Sequence, residues 1–138
     1  MKRLLLISAC AVALTGCVTT PLDLDKAQSV EPASYQECPA NVPISKITVA
    51  RGHSYSGHGV DIRVSLDGTE VVRLRPGQKS TMCVDGSKSH FVTTDALFHS
   101  PTTVPIIAQE NVEFILQSGT DMGGTAFCVI QSMKPLNQ

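Results

Sequence analysis

Val60-Asp61-Ile62-Arg63-Val64-Ser65-Leu66-Asp67-Gly68-Thr69-Glu70-Val71-Val72-Arg73-Leu74 reads as two strands joined by a tight turn. Val60, Ile62, Val64 and Leu66 alternate with Asp61, Arg63 and Ser65. A period of two places one set on each face of a pleated strand. Asp67-Gly68 follows, a dipeptide whose two residues both accept positive φ and therefore suit a two-residue hairpin loop. On the return, Val72 and Leu74 face one way, and Arg73 and Arg75 face the other.

The same texture extends on both sides. Ile44–Arg51 is rich in β-branched residues, with Ile47 and Val49 opposed to Lys46, Thr48 and Ala50. Arg75-Pro76-Gly77 reads as a second turn. Gln78–Val84 is a further strand, closed by Asp85-Gly86, and Lys88–Thr94 continues beyond it. Thr103–Ala108, Asn111–Gln117 and Thr125–Ser132 complete the set, the last following a Gly123-Gly124 loop. No 3.6-residue period is sustained, although Asp95–His99 fits a short helical turn. Short strands at intervals near ten residues, punctuated by Gly and Pro, predict an all-β fold. The expectation is a single antiparallel β-sandwich of about eight short strands over residues 44–134, with 135–138 as a tail.

The N-terminus carries a different signal. Met1-Lys2-Arg3 precedes an apolar run from Leu4 to Leu14, then Thr15-Gly16-Cys17. The run is far shorter than the ~20 apolar residues that cross a bilayer. Small residues followed at once by cysteine resemble the lipobox of bacterial lipoproteins. That resemblance implies removal of residues 1–16 as a signal peptide, and acyl chains on Cys17 that anchor the protein to the membrane. Val18 stands where enterobacterial lipoproteins retained in the inner membrane usually have Asp, so the analogy implies the outer membrane. Residues 17–43 are poor in large apolar side chains and contain Pro21, Pro32, Pro39 and Pro43, which reads as a lipid-anchored flexible linker.

Composition narrows the function classes. Without residues 1–16 the chain has 9 basic and 12 acidic residues, a net charge of −3. It lacks the basic face that nucleic acid calls for. Trp is absent and aromatic residues are few, which argues against a stacking cleft for bases or sugars. Cys38, Cys83 and Cys128 would face an oxidising compartment. Three cysteines allow three alternative pairings and leave one thiol over. Cys83 and Cys128 both lie in strand-like runs, so the expected disulfide is Cys83–Cys128. No C-x-x-C spacing supports a redox or zinc motif.

Four groups of residues invite a chemical reading. Gly52-His53-Ser54-Tyr55-Ser56-Gly57 resembles a hydrolase nucleophile elbow, with Ser54 as nucleophile and His90 or His99 as base. An elbow requires a helix immediately after the serine, and Gly57, Gly59 and the strand from Val60 oppose one. His53, His58, His90 and His99 are of a type that binds copper or zinc, but their spacing fixes no geometry. Asp61, Asp67, Asp85, Glu110 and Glu113 include no pair singled out by spacing, and Glu113 falls on a solvent face. Arg51, Arg63, Arg73 and Arg75 fall mostly on outward positions, as a basic strip able to meet an acidic partner or a solvated sheet face. No catalytic, metal or cofactor site is assigned.

Ile47–Arg51, Val64–Leu74, Gly77, Val84-Asp85-Gly86 and His90, in that order, resemble the small bacterial lipoproteins called DUF2846-like and, more loosely, PEGA-type repeats. The likeness spans residues 45–94 and departs at 85–86, where Asp-Gly replaces the usual Pro-Gly. It implies a β-sandwich and transfers no catalytic residue. The function expected is that of a non-enzymatic outer-membrane lipoprotein docking on an envelope protein; a ligand-binding module, for metal or cell-wall glycan, and a Ser54 hydrolase are the alternatives. Cys17→Ser should accumulate as unprocessed precursor that incorporates no labelled palmitate, and normal acylation of that variant would contradict the lipobox.

Overall fold

The computed structural model describes residues 23–32, 37–53, 60–96, 100–120 and 126–136. Among them are nine strands and no helix: β1 (Gln28–Ser29), β2 (Ile44–Arg51), β3 (Ile62–Leu66), β4 (Thr69–Leu74), β5 (Gln78–Asp85), β6 (His90–Ala96), β7 (Thr102–Ile106), β8 (Val112–Thr120) and β9 (Ala126–Pro135). They make two sheets, ordered β1-β5-β2-β8-β9 and β4-β3-β6-β7. The fold is the all-β sandwich that the alternation implies. Ile47 and Val49 from β2, Ile62 and Val64 from β3, Leu74 from β4 and Phe114 from β8 meet between the sheets, each at most 1% exposed.

The chain crosses between sheets four times, which separates two ends of the sandwich. One end, here the Arg51 end, holds the last residue of β2, the first of β3 and the Arg75–Gly77 turn. The other, the Asp67 end, holds Asp67-Gly68, Asp85-Gly86 and the start of β8. Pairing is mostly antiparallel, but β2 runs parallel to β8 and β1 parallel to β5. Crossing to the second sheet and back brings the chain into β8 in the direction of β2.

The two Asp-Gly dipeptides do different work. Asp67 (φ 49°) and Gly68 (φ 86°) join β3 to β4 as the hairpin their chemistry favours. A bulge opposite Val64/Ser65 leaves Val71 without a cross-strand partner, so Val71 and Val72 are both buried. Asp85-Gly86 makes no hairpin, because β5 and β6 lie in different sheets. Asp85 Oδ1 instead accepts from the Ser87 amide at 2.9 Å. Gly86 is required there by space: a Cβ would sit 3.0 Å from Gln109 O and 3.0 Å from Ser45 Oγ. Pro76-Gly77, with Gly77 at φ 82° and a Gln78 N–H to Arg75 O bond of 3.2 Å, turns the chain from β4 into β5.

Four sequence expectations are corrected. Asp95 and Ala96 belong to β6 rather than to a helical turn, while 97–99 lie outside the described residues. Pro135 ends β9 rather than beginning a tail. Residues 17–43 are not a free linker throughout. Gln28 N–H donates to Gly77 O at 3.0 Å, Val30 N–H donates to Lys79 O at 2.8 Å, and Val30 packs on the core. These bonds cover the start of the outer edge of β5, at Gln78 and Lys79, which the linker reading missed because a two-residue strand has no detectable period.

The fourth correction concerns the disulfide, which is Cys38–Cys83 with Cα atoms 5.0 Å apart, while Cys128 is a buried free thiol. Cys83 pairs with Lys46 and points outward, whereas Cys128 pairs with Ser118 and points into the core. The two strands are separated by β2 and β8, hence by roughly 14 Å at the spacing of paired strands. That exceeds the reach of a disulfide. Burial pushes the Cys128 thiol up to about 12, against a smaller opposing pull from the Thr94 hydroxyl.

Unreduced protein should therefore yield a linked Cys38/Cys83 peptide pair by mass spectrometry. Cys128 should resist alkylation until the protein unfolds. Closing a loop of this length stabilises by about 4 kcal/mol in the chain-entropy description, so Cys38→Ser should lower the melting temperature clearly without abolishing the β spectrum.

Candidate docking surface

Each sheet has two edge strands, and an open edge is a row of backbone donors and acceptors ready to pair with another chain. Three of the four are blunted. β1 spans two residues. β4 carries the Val71 bulge, and its Arg73 Nε bonds Glu70 Oε1 at 2.6 Å. β7 spans five residues and contains Pro105, which lacks an N–H.

β9 is different. It is the longest strand among the described residues, ten residues at the end of its sheet. Its first half is held in place: Ala126 and Cys128 are buried, and Thr102 Oγ1 donates to Ala126 O at 2.8 Å. From Val129 onward every residue is exposed, including Val129 at 53%, Ile130 at 41% and Met133 at 52%. A bulge opposite Ile115/Leu116 and Lys134-Pro135 at the far end are its only checks.

Beside this half of β9, the outer face of the sheet holds a shallow groove of about 540 Å³ lined by Lys46, Thr81, Glu113 and Lys134. Glu113 accepts from Thr48 Oγ1 at 2.8 Å and pairs with Lys134 at 3.1 Å. Burial alone raises its carboxyl, but Thr48, Lys134 and Lys46 outweigh it, and Glu113 sits below the ordinary value. The sequence placed Glu113 on the solvent face; it occupies the outer face but is largely covered, with its side chain 19% exposed. Within the groove Glu113 is paired with Lys134 and bonded to Thr48.

The other candidate side chains are dispersed. Arg63, Arg73 and Arg75 lie on the outer side of the second sheet, paired with Asp95, Glu70 and Asp61. Arg51, expected outward, is fully buried; its Nη1 donates to Val60 O at 2.6 Å and Leu74 O at 2.7 Å. Burial lowers its pKa, partly offset by Asp61. Strand parity puts Arg51 on the face of Ile47 and Val49, a signal already present in the alternation across β2. Cys17, Ser54, His58 and His99 lie outside the described residues. His53 is exposed at the Arg51 end, against Gly77, while His90 is at the Asp67 end. Among the described residues no three His, Cys, Asp or Glu side chains form a metal-holding group.

His90 instead ties two turns together. Its Nδ1 meets Asp67 Oδ2 at 2.7 Å and its Nε2 meets the Asp85 carbonyl at 2.8 Å. Both partners are acceptors, so the arrangement fits the doubly protonated ring. Burial lowers the His90 pKa, but Asp67 and the Asp85 carbonyl outweigh it and leave the pKa above 6.5. Burial likewise raises the Asp67 carboxyl, and His90 with the Phe91 amide brings it below 3.8. His90 thus contributes stability fully below pH 6.5 and loses it as pH rises through its raised pKa. Asp67 contributes above pH 3.8 and loses it as pH falls through its lowered pKa. His90→Ala should cost about 2 kcal/mol near pH 5.5, from the loss of two charge-assisted bonds. The gap to wild type in thermal melts should narrow as pH rises through the raised His90 pKa, and a gap independent of pH would contradict the ion pair.

No family model matches the chain, and no curated protein or solved structure is significantly similar to it, so the resemblance to DUF2846-like and PEGA-type lipoproteins gains no support and no residue role comes from a relative.

Proposed function

We propose that this protein is a non-enzymatic outer-membrane lipoprotein, held by acyl chains on Cys17, whose periplasmic β-sandwich docks on another envelope protein by strand addition at β9. The observation that carries the docking mode is the contrast between edges: β1, β4 and β7 are blunted, whereas Val129–Pro135 offers an exposed ladder. The partner chemistry that fits is an extended segment with alternating apolar side chains. Backbone bonds along β9 supply affinity, and Val129, Ile130 and Met133 supply selectivity. No observation favours a metal, glycan or Ser54 hydrolase reading over this one.

The test places a photocrosslinking residue at Val129, Met133 or, as a control, Glu70 on β4, in full-length protein in its own membranes. The expected result is one discrete heteromeric adduct from the two β9 positions and none from Glu70. Ile130→Lys should abolish the adduct and fail to complement a deletion strain, while its melting temperature and membrane association stay unchanged. Adducts of equal yield from Glu70, a homodimer as the sole product, or full complementation by Ile130→Lys would overturn the proposal. Ser54→Ala should complement normally.

A further inference from the structure

We propose that Asp23–Pro32, together with the Cys38–Cys83 disulfide, forms a strap that shortens the membrane leash, holding the Arg51 end of the sandwich beside the bilayer and turning the Asp67 end away from it. The inference rests on the reading of Cys17 as the lipid site. From Cys17 to Pro43 the sequence offers 26 residues, enough to span about 90 Å when extended. The strap removes most of that length. Lys26 N–H donates to Asp23 O at 3.1 Å in a turn, and Lys79 Nζ donates to Leu24 O at 2.6 Å. Gln28 and Val30 then bond along β5, Val30 packs on the core, and Cys38–Cys83 closes the far side.

Among the described residues the strap begins with the turn at Asp23, six residues after Cys17, and first bonds the sandwich at Leu24. Whatever conformation the intervening residues take, they reach no more than about 20 Å. The strap also fixes where the leash attaches. Gln28 pairs with Gln78, the first residue of β5, and its amide bonds Gly77, so the chain enters at the Arg51 end. β5 has eight residues and measures roughly 27 Å along its axis. An inverted domain, with Asp67 and Asp85 on the membrane, would lift the attachment point farther than the leash extends. Geometry alone gives this orientation. Cations at the Arg51 end are engaged, Lys26 with Asp23 and Arg75 with Asp61, both at 3.7 Å, so no attraction to anionic headgroups is required. The exposed half of β9 runs toward the Asp67 end and would face the periplasm.

The experiment uses full-length acylated protein in phosphatidylcholine vesicles that contain a headgroup-nitroxide lipid. A fluorophore is attached at Arg75→Cys, at the Arg51 end, or at Ser87→Cys, at the Asp67 end. Quenching should be several-fold stronger at position 75 than at 87. Inserting about twenty Gly/Ser residues after Thr20 lengthens the leash without touching the strap, and should erase most of the difference, since such a linker spreads over tens of ångströms. Cys38→Ser combined with Val30→Asp should reduce it too. Equal quenching at the two sites, or a difference that survives the insertion, overturns the strap. Flotation of the same vesicles separates the two ideas: protein that fails to float contradicts the Cys17 anchor, whereas protein that floats with equal quenching contradicts the strap alone.

Discussion

The guanidinium of Arg51 lies between the two sheets at one end of the sandwich and bonds the carbonyls that flank β3 and β4, Val60 O and Leu74 O. Arg51 ends β2, the strand that joins β5 to β8 within the first sheet. One side chain therefore links the spine of one sheet to the paired strands of the other. Placing a guanidinium where it is fully buried is costly, and the arrangement holds because backbone acceptors replace water. Removing it would strand two carbonyls at about 1–3 kcal/mol each. Gly52 N–H to Ser118 O and Gly77 N–H to Arg51 O, at 3.1 and 3.0 Å, fasten the surrounding chain to the same point.

The opposite end is organised by a second cation of another kind. His90 joins the β3–β4 hairpin to the Asp85 corner, and its charge depends on pH where that of Arg51 does not. Around it, Gly86 N–H bonds Pro43 O and Asn111 N–H bonds Ile44 O, at 2.8 and 2.9 Å, so the chain entering β2 is fixed by the same turn. The Arg51 clamp is insulated from solvent and the His90 clamp is partly open to it. Loss of His90's proton weakens only the second, which makes the Asp67 end the more responsive of the two to its surroundings.

What the sequence made legible follows from which signals are local. Alternation from Val60 to Leu74 is a property of each strand alone, and it located both strands, the core face and the Asp67-Gly68 hairpin. The parallel pairing of β2 with β8 depends on two passes through the other sheet and leaves no trace in either strand. Asp85-Gly86 has the same composition as Asp67-Gly68, yet it serves as a corner because its neighbours belong to different sheets. The Cys83–Cys128 expectation ignored parity: both cysteines sit in strands, but on opposite faces. Arg51 was placed outward by the habit of its residue type, although Ile47 and Val49 at the same parity pointed inward. The exposed edge at β9 was illegible for a related reason. The run expected at Thr125–Ser132 overlaps β9 (Ala126–Pro135), but being last in a sheet is a property of the whole topology.

Edge protection connects the strap to the proposed docking site. The first sheet ends in β1 on one side and β9 on the other. Without the strap, β5 would present eight residues of open ladder at that side, and the sheet would have two long edges competent to pair. The strap satisfies Gly77 O and Lys79 O at the start of that edge and ties Cys83 to Cys38 toward its end, so the edge is interrupted at two points. A single segment thereby sets two things at once: the end of the domain from which the chain departs and the edge that remains available. Cys38–Cys83 holds the far end of the segment beside β5 by a covalent bond, so the short β1 ladder re-forms readily after it opens.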